Sequence, residues 1–169
     1  KGVKFMQMTV VLPYAVPGVI IALSMILAFS QPVAGVRLYN TIWILLIAYI
    51  ARFMNLGYNN ISGAISQVDT SLEEAARISG ASQLRAFKDV MLPLLKSSLI
   101  SSFFLVVAPT ISELSLSSLL WSVGNETIGT IVFSAKEEGR ILLTAAIAII
   151  LIILVVVINL LVNSQTDKD

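Results

Sequence analysis

The chain has no cysteine and no histidine. The first absence excludes disulfides and thiolate metal sites; the second removes the commonest general base and the commonest metal ligand. Charge is scarce as well: Asp, Glu, Lys and Arg supply 12% of the 169 residues, against about 25% in an ordinary soluble domain. No G-x-x-x-x-G-K-[ST] loop occurs, so the chain carries no Walker-type phosphate cradle. Paired acids suited to hydrolysis are missing too. With a net charge of only +1, no nucleic-acid partner is expected. What remains is hydrocarbon: 57% of residues are hydrophobic and mean hydropathy is +0.91, which is membrane composition.

Four apolar runs, at about residues 10–30, 38–54, 94–111 and 141–162, are read as membrane spans. The first holds twenty uncharged residues, about 30 Å of helix and one hydrocarbon thickness; Pro13, Pro17 and Gly18 predict bent or loosened first turns. The second is the shortest and contains Arg52, with Trp43 and Tyr49 suited to headgroup depth. The third carries Lys96 near its start and Pro109 near its end. The fourth is charge-free over 22 residues. Open strands cannot satisfy their backbone in lipid, and a barrel would alternate in polarity every other residue; no such alternation appears. The expected fold is all-α, a polytopic transmembrane helix bundle.

Basic residues orient it. Placing both termini and the 71–92 loop on one side gives that side Lys1, Lys4, Arg52, Arg77, Arg85, Lys88, Lys96 and Lys168, and leaves Arg37, Lys136 and Arg140 on the other. The excess marks the first side, and both termini, as cytoplasmic. Residues 112–139 are too apolar for an ordinary loop and too interrupted for a span. Leu114, Leu116, Leu119, Leu120 and Trp121 suit a short helix in the interface or dipping back into the protein; a solvent-exposed loop with an apolar patch is the alternative.

One polar segment separates the second and third runs. Ser71 and Glu74 have capping-box spacing, predicting a helix from Leu72. Leu72, Ala75, Ala76 and Ser79 give it a narrow face of small residues. Gly80 interrupts, Ser82 caps a second short helix through Lys88, and Pro93 suits the first turn of the third span. Such an elbow fits a groove in a soluble partner; an amphipathic helix resting on headgroups is the rival reading.

The run Glu74-Ala75-Ala76, Gly80, then Val90-Met91-Leu92-Pro93 resembles the EAA motif of permease subunits of binding-protein-dependent ABC importers, with Val90 where that family has isoleucine. Leu12-Pro13-Tyr14-Ala15-Val16-Pro17-Gly18 is similar to the same family. The resemblance implies a type I importer permease fold of five or six spans, four of them visible, in a bacterial inner (plasma) membrane. The start at Lys1, without methionine, fits a fragment of a longer chain. The resemblance also implies that residues 71–92, with Glu74, Ala75, Ala76, Arg77, Gly80, Leu84 and Pro93, couple to ABC ATP-binding subunits. ATP would sit on those partners, and no cofactor is expected on this chain. A second permease subunit or half and an extracytoplasmic solute-binding protein are the other implied partners. Ser112-Glu113-Leu114, Leu119-Leu120, Glu126-Thr127-Ile128-Gly129 and Lys136 to Gly139 most resemble permeases of ferric iron importers, which implies iron(III) as one candidate substrate; permeases for thiamine, phosphonate, sulfate or polyamines are similar over the same residues. The chain itself is expected to be non-catalytic.

Glu113 adjoins the third span and, with Pro109, is the candidate for the translocation path at its outer mouth, where a carboxylate would attract a cationic solute or gate the opening by pairing with Arg37 or Arg140; an acid at a span boundary facing headgroup water is the alternative. Two rivals remain. A carrier driven by an ion gradient would carry ionisable groups within its spans; a non-transporting scaffold subunit would use the same small-residue face.

Overall fold

A computed structural model of the chain describes residues 2–166. Among them ten α-helical elements and one π-helical stretch are found, and the nearest approach to a sheet is an isolated bridge between Val33 and Val36. Lys1 and Lys168, which entered the charge count, lie outside the described residues, as does the side chain of Lys4.

The first apolar run is broken. Helix α1 (Gly2–Ala15) and helix α2 (Gly18–Phe29) meet at Val16-Pro17, and the part of α1 from Gln7 makes an angle of 111° with α2. Pro17 cannot donate a backbone N–H and pushes Val16 out of helical geometry. Its carbonyl then accepts from Ile20 and Ile21 at 2.9 and 3.2 Å to open α2.

The second run is not short. Helix α3 (Ile42–Gln67) continues past Met54 and has 26 residues, about 39 Å at 1.5 Å per residue. Asn55, Asn59 and Asn60 look in sequence like an exit from hydrocarbon, but their amides are satisfied inside the bundle. Asn59 Nδ2 donates to Asn55 Oδ1 at 3.0 Å, and Asn60 Nδ2 donates to the Ser98 carbonyl at 3.1 Å and to Ser102 Oγ at 3.0 Å.

The polar segment holds α4 (Thr70–Ile78) and α5 (Gln83–Ala86), followed by the π-helical stretch Phe87–Met91 and α6 (Leu92–Leu94). Pro93 lies in α6 and not in the first turn of the third span. The long helix α7 (Lys96–Ile111) starts only after Leu95, where the axis turns by 66°. Beyond it come α8 (Ser117–Leu120), α9 (Ile128–Glu137) and the long apolar α10 (Ile141–Thr166). Of these, α9 was not expected. It is opened by a capping box of two threonines, Thr127 and Thr130, in place of the Glu or Gln that usually marks one in sequence.

Helix α3 packs along α7, and α7 along α10. Gly57 permits the closest part of the first contact, since a Cβ there would lie 3.3 Å from Val106 Cγ2. The buried core is elsewhere, where Ala22, Ile44, Leu45 and Ala48 meet Leu116 and Leu120. The 112–120 stretch therefore dips back between α2 and α3. Leu116 and Leu120 drive that return by apolar burial, while Leu119 and Trp121 stay partly exposed.

Candidate functional site

Two regions concentrate polar chemistry. The first is the elbow. Helix α4 starts at Thr70, two residues before the expected Leu72, because Asp69 is its cap: the carboxylate accepts from the Ser71 N–H at 2.9 Å. The Ser71–Glu74 capping box is not formed. An acid outcompetes a hydroxyl here because it adds charge at the positive end of the helix dipole. That hydrogen bond holds the Asp69 carboxyl below its ordinary range. Ser82 caps α5 as expected, accepting from Arg85 N–H at 3.4 Å.

Gly80 sits between the two helices at φ +92°, and no heavy atom lies within 4 Å of where its Cβ would be. The glycine is needed for the sign of φ, not for a close approach within the chain. Ile78 is 88% exposed and Leu84 77%. Glu74, Arg77, Ile78, Ala81, Ser82 and Gln83 line an open cleft of about 600 Å³. Ala75 is exposed and Ala76 half-buried, so the small-residue face also stands uncovered.

The second region is a charged junction under α8. Arg52, about 15 Å along α3 from Ile42, places Nε 3.7 Å from Glu113 Oε2, with only 20% and 11% of the two side chains exposed. Arg52 Nη1 also donates to the Val16 carbonyl at 3.1 Å, capturing a group freed by the break at Pro17. Glu113 Oε1 accepts from Leu116 N–H at 3.0 Å, and its backbone carbonyl accepts from the Ser117 hydroxyl at 2.8 Å. Ser117 in turn bonds the Tyr49 hydroxyl. Two glycines make room: a Cβ on Gly18 would lie 2.9 Å from Arg52 Nη1, and one on Gly129 would lie 2.9 Å from the Glu113 carbonyl oxygen.

Glu113 is thus not paired with Arg37 or Arg140. Arg140 instead pairs with Glu138 at 2.9 Å. Arg52 belongs at mid-helix beside Glu113 and not with the cytoplasmic charges. Pro109 and Glu113 are not brought together, since Pro109 faces an apolar cleft shared with Leu56, Val155 and Ile158. The partner of Glu113 had a readable signal. An arginine in the middle of an apolar run is costly unless wet or paired, and Glu113 is the one acid beside such a run.

The profile of the family described as binding-protein-dependent transport system inner membrane component matches residues 2–167. The permease protein PhnV of Salmonella typhimurium, assigned by name to 2-aminoethylphosphonate transport, is 29% identical over 150 residues, 89% of this chain and 56% of that protein. The putrescine transport system permease protein PotI of Escherichia coli K12 is 28% identical, over 82% of this chain and 49% of that one. The Fe(3+)-transport system permease protein FbpB 2 of Haemophilus influenzae is 27% identical, over 76% of this chain and 26% of that one. The chain spans about half the length of the curated relatives it matches. In fold it is similar to a chain of a bacterial alginate ABC transporter crystallised with its alginate-loaded periplasmic protein: TM-score 0.73 at 20% identity, covering 98% of this chain and 65% of that one.

Proposed function

Because the chain belongs to the family of binding-protein-dependent transport system inner membrane components, we propose that it works as the membrane-spanning permease of an ABC importer. Its helices would form the solute path. The elbow of α4 to α6 would dock on separate ATP-binding subunits that hold the ATP, so that their closure tilts α7 through the bend at Leu95. A second permease subunit or half and an extracytoplasmic binding protein complete the proposed assembly, in the inner membrane with the elbow cytoplasmic.

The observation that carries this reading is the elbow itself. It is a capped two-helix unit whose Ile78 and Leu84 stand almost bare. Large apolar side chains in that state on a polar segment fit a partner's pocket better than water. Family membership disfavours a carrier driven by an ion gradient. The relatives are named for a phosphonate, a polyamine and iron(III). Iron(III) therefore has the support of one relative among several, and the proposal names the importer and not its solute.

Ile78→Glu tests it. In a reconstituted complex, stimulation of ATP hydrolysis by loaded binding protein should fall by about tenfold, as for a central interface anchor, while the chain remains inserted. Full stimulation with Glu at position 78 would remove the elbow from the coupling path.

A further inference from the structure

We propose that the cleft between the 121–127 loop, α9 and the first turn of α10 holds the headgroup of an ethanolamine phospholipid. The proposal rests on the chain's place in a membrane and not on the importer reading. Trp121, Glu126, Ser134, Glu138, Arg140 and Leu143 border the cleft, whose volume is about 270 Å³. That is just under the range of about 300–1,000 Å³ that takes drug-sized ligands, so a small head fits and a whole lipid does not. The depth of the cleft follows from the sequence around Arg140. Lys136, Glu137, Glu138 and Arg140 come in close succession, and Ile141 then opens the charge-free run of α10. The cleft therefore lies where hydrocarbon gives way to headgroups, the depth at which tryptophan collects.

The lining suits one headgroup chemistry. Arg140 Nε pairs with Glu138 Oε2 at 2.9 Å, while 64% and 54% of the two side chains stay exposed. A guanidinium has five N–H donors, more than one carboxylate occupies, and its fork matches a phosphate. Glu126, braced by the Gly124 N–H on its Oε1 at 3.1 Å, joins Glu138 in offering acceptors to an ammonium. Among the described residues bordering the cleft, these two carboxylates stand against one guanidinium, a balance that repels an anionic lipid. A choline head brings no N–H donors to the carboxylates. Trp121 is the one aromatic ring among those residues, not the cage that a quaternary ammonium favours. An ethanolamine head has the phosphate, the N–H donors and the size. Its acyl chains also have a place to lie. Ile131 and Leu143 form the apolar wall of the cleft. Ile150 and Leu154 follow Leu143 on the same face of α10, and all four are exposed. Water would satisfy the charged wall but not the apolar one.

The two tryptophans of the chain make a direct test available. Trp43 is 58% exposed and accepts phenylalanine, which leaves Trp121 as the reporter. The purified W43F chain is reconstituted in phosphatidylcholine bilayers that contain a rising share of a lipid brominated in its upper acyl chains. Brominated phosphatidylethanolamine should quench Trp121 at about a tenfold lower share than brominated phosphatidylcholine or phosphatidylglycerol, as hydrogen bonds to charged groups allow. E126Q/E138Q and R140Q, each built on W43F, should bring that preference close to unity. Lys136→Gln, outside the cleft, should keep it. Equal quenching by the three lipids would mark an ordinary lipid annulus and overturn the proposal. Quenching by none of them would show a cleft closed to lipid and overturn it too. Soluble glycerophosphoethanolamine separates a lipid head from a dissolved zwitterion: added in excess, it should leave the quenching unchanged. Relief of quenching would mean that the cleft takes a solute from water, and the lipid assignment would fall.

Discussion

At the scale of the residue, Arg52 and Glu113 decide the most. A guanidinium about 15 Å from the end of α3 lies near the middle of a hydrocarbon layer of about 30 Å, and the pair with Glu113, the Val16 carbonyl and the Gly18 surface make its position tenable. Arg52→Gln or Glu113→Gln leaves the remaining charge with one backbone partner, at a cost on the order of 3 kcal/mol. The double variant R52Q/E113Q should cost less than the sum of the two, measured as thermal stability of the purified protein. Additive losses would mean the two charges do not act as a pair. Asp69 offers a second, milder test. Its carboxyl is held below the ordinary value by the Ser71 N–H, so the cap's contribution is complete above the unfolded pKa and lost as pH falls through the folded one. Hydrogen exchange of the Ser71 amide should therefore lose protection in acid in the wild type. Asp69→Asn, which caps without charge, should flatten that dependence, and an unchanged acid profile in the Asn variant would assign it to another group.

At the scale of the element, the elbow depends on one backbone sign. Leucine at Gly80 must adopt a positive φ that costs an L residue about 1–2 kcal/mol, more than a hinge between two short helices can absorb without reorienting. Gly80→Leu should therefore abolish stimulated ATP hydrolysis in an inserted, assembled complex, while Gly80→Asn, which tolerates that region, should keep a measurable part. Equal activity of the two variants would place the glycine's role outside its backbone geometry. The elbow was legible from sequence because its signals are local: Gly80, the Ser82 cap and the EAA spacing. The start of α4 was misread because Asp69 and Ser71 compete for the same amides, and spacing alone does not rank them. The length of α3 was missed because Asn60 is satisfied across the interface by Ser98 and Ser102, and Asn59 by Asn55 within the helix, facts absent from hydropathy. The break at Pro17 was readable in kind but not in size: proline forbids the hydrogen bond, but the packing of α1 and α2 on α3 sets the angle of 111°. Of the junction, Glu113 beside an apolar run and Arg52 inside one are each legible as charges that need a partner; that they partner each other depends on the return of residues 112–120 between α2 and α3, which spacing does not show.

At the scale of the whole molecule, moving Arg52 to mid-helix takes the count expected from sequence on the elbow's side from eight basic residues to seven, against three, so the bias weakens but keeps its sign. Among the described residues two helices, α3 and α10, are long and apolar enough to cross a membrane, or up to four spans if each bent pair is one. If α1 and α2 instead enter and leave on one side, the position of the N-terminus changes. The relation between the elbow and the 121–127 loop does not, because only α7 and the short α8 lie between them, and the four residues of α8 are too few to cross. Those two points therefore make the sharpest test of the arrangement. Val123 is 91% exposed, and Gln83 lies on the open cleft of the elbow; neither substitution by cysteine disturbs a cap or a positive φ. In intact cells an impermeant maleimide should label V123C and leave Q83C untouched. Permeabilising the cells should then expose Q83C, with labelling after denaturation as the control for a partner covering it. Labelling of Q83C from outside would invert the orientation. Labelling of both cysteines from one side would mean that α7 does not cross.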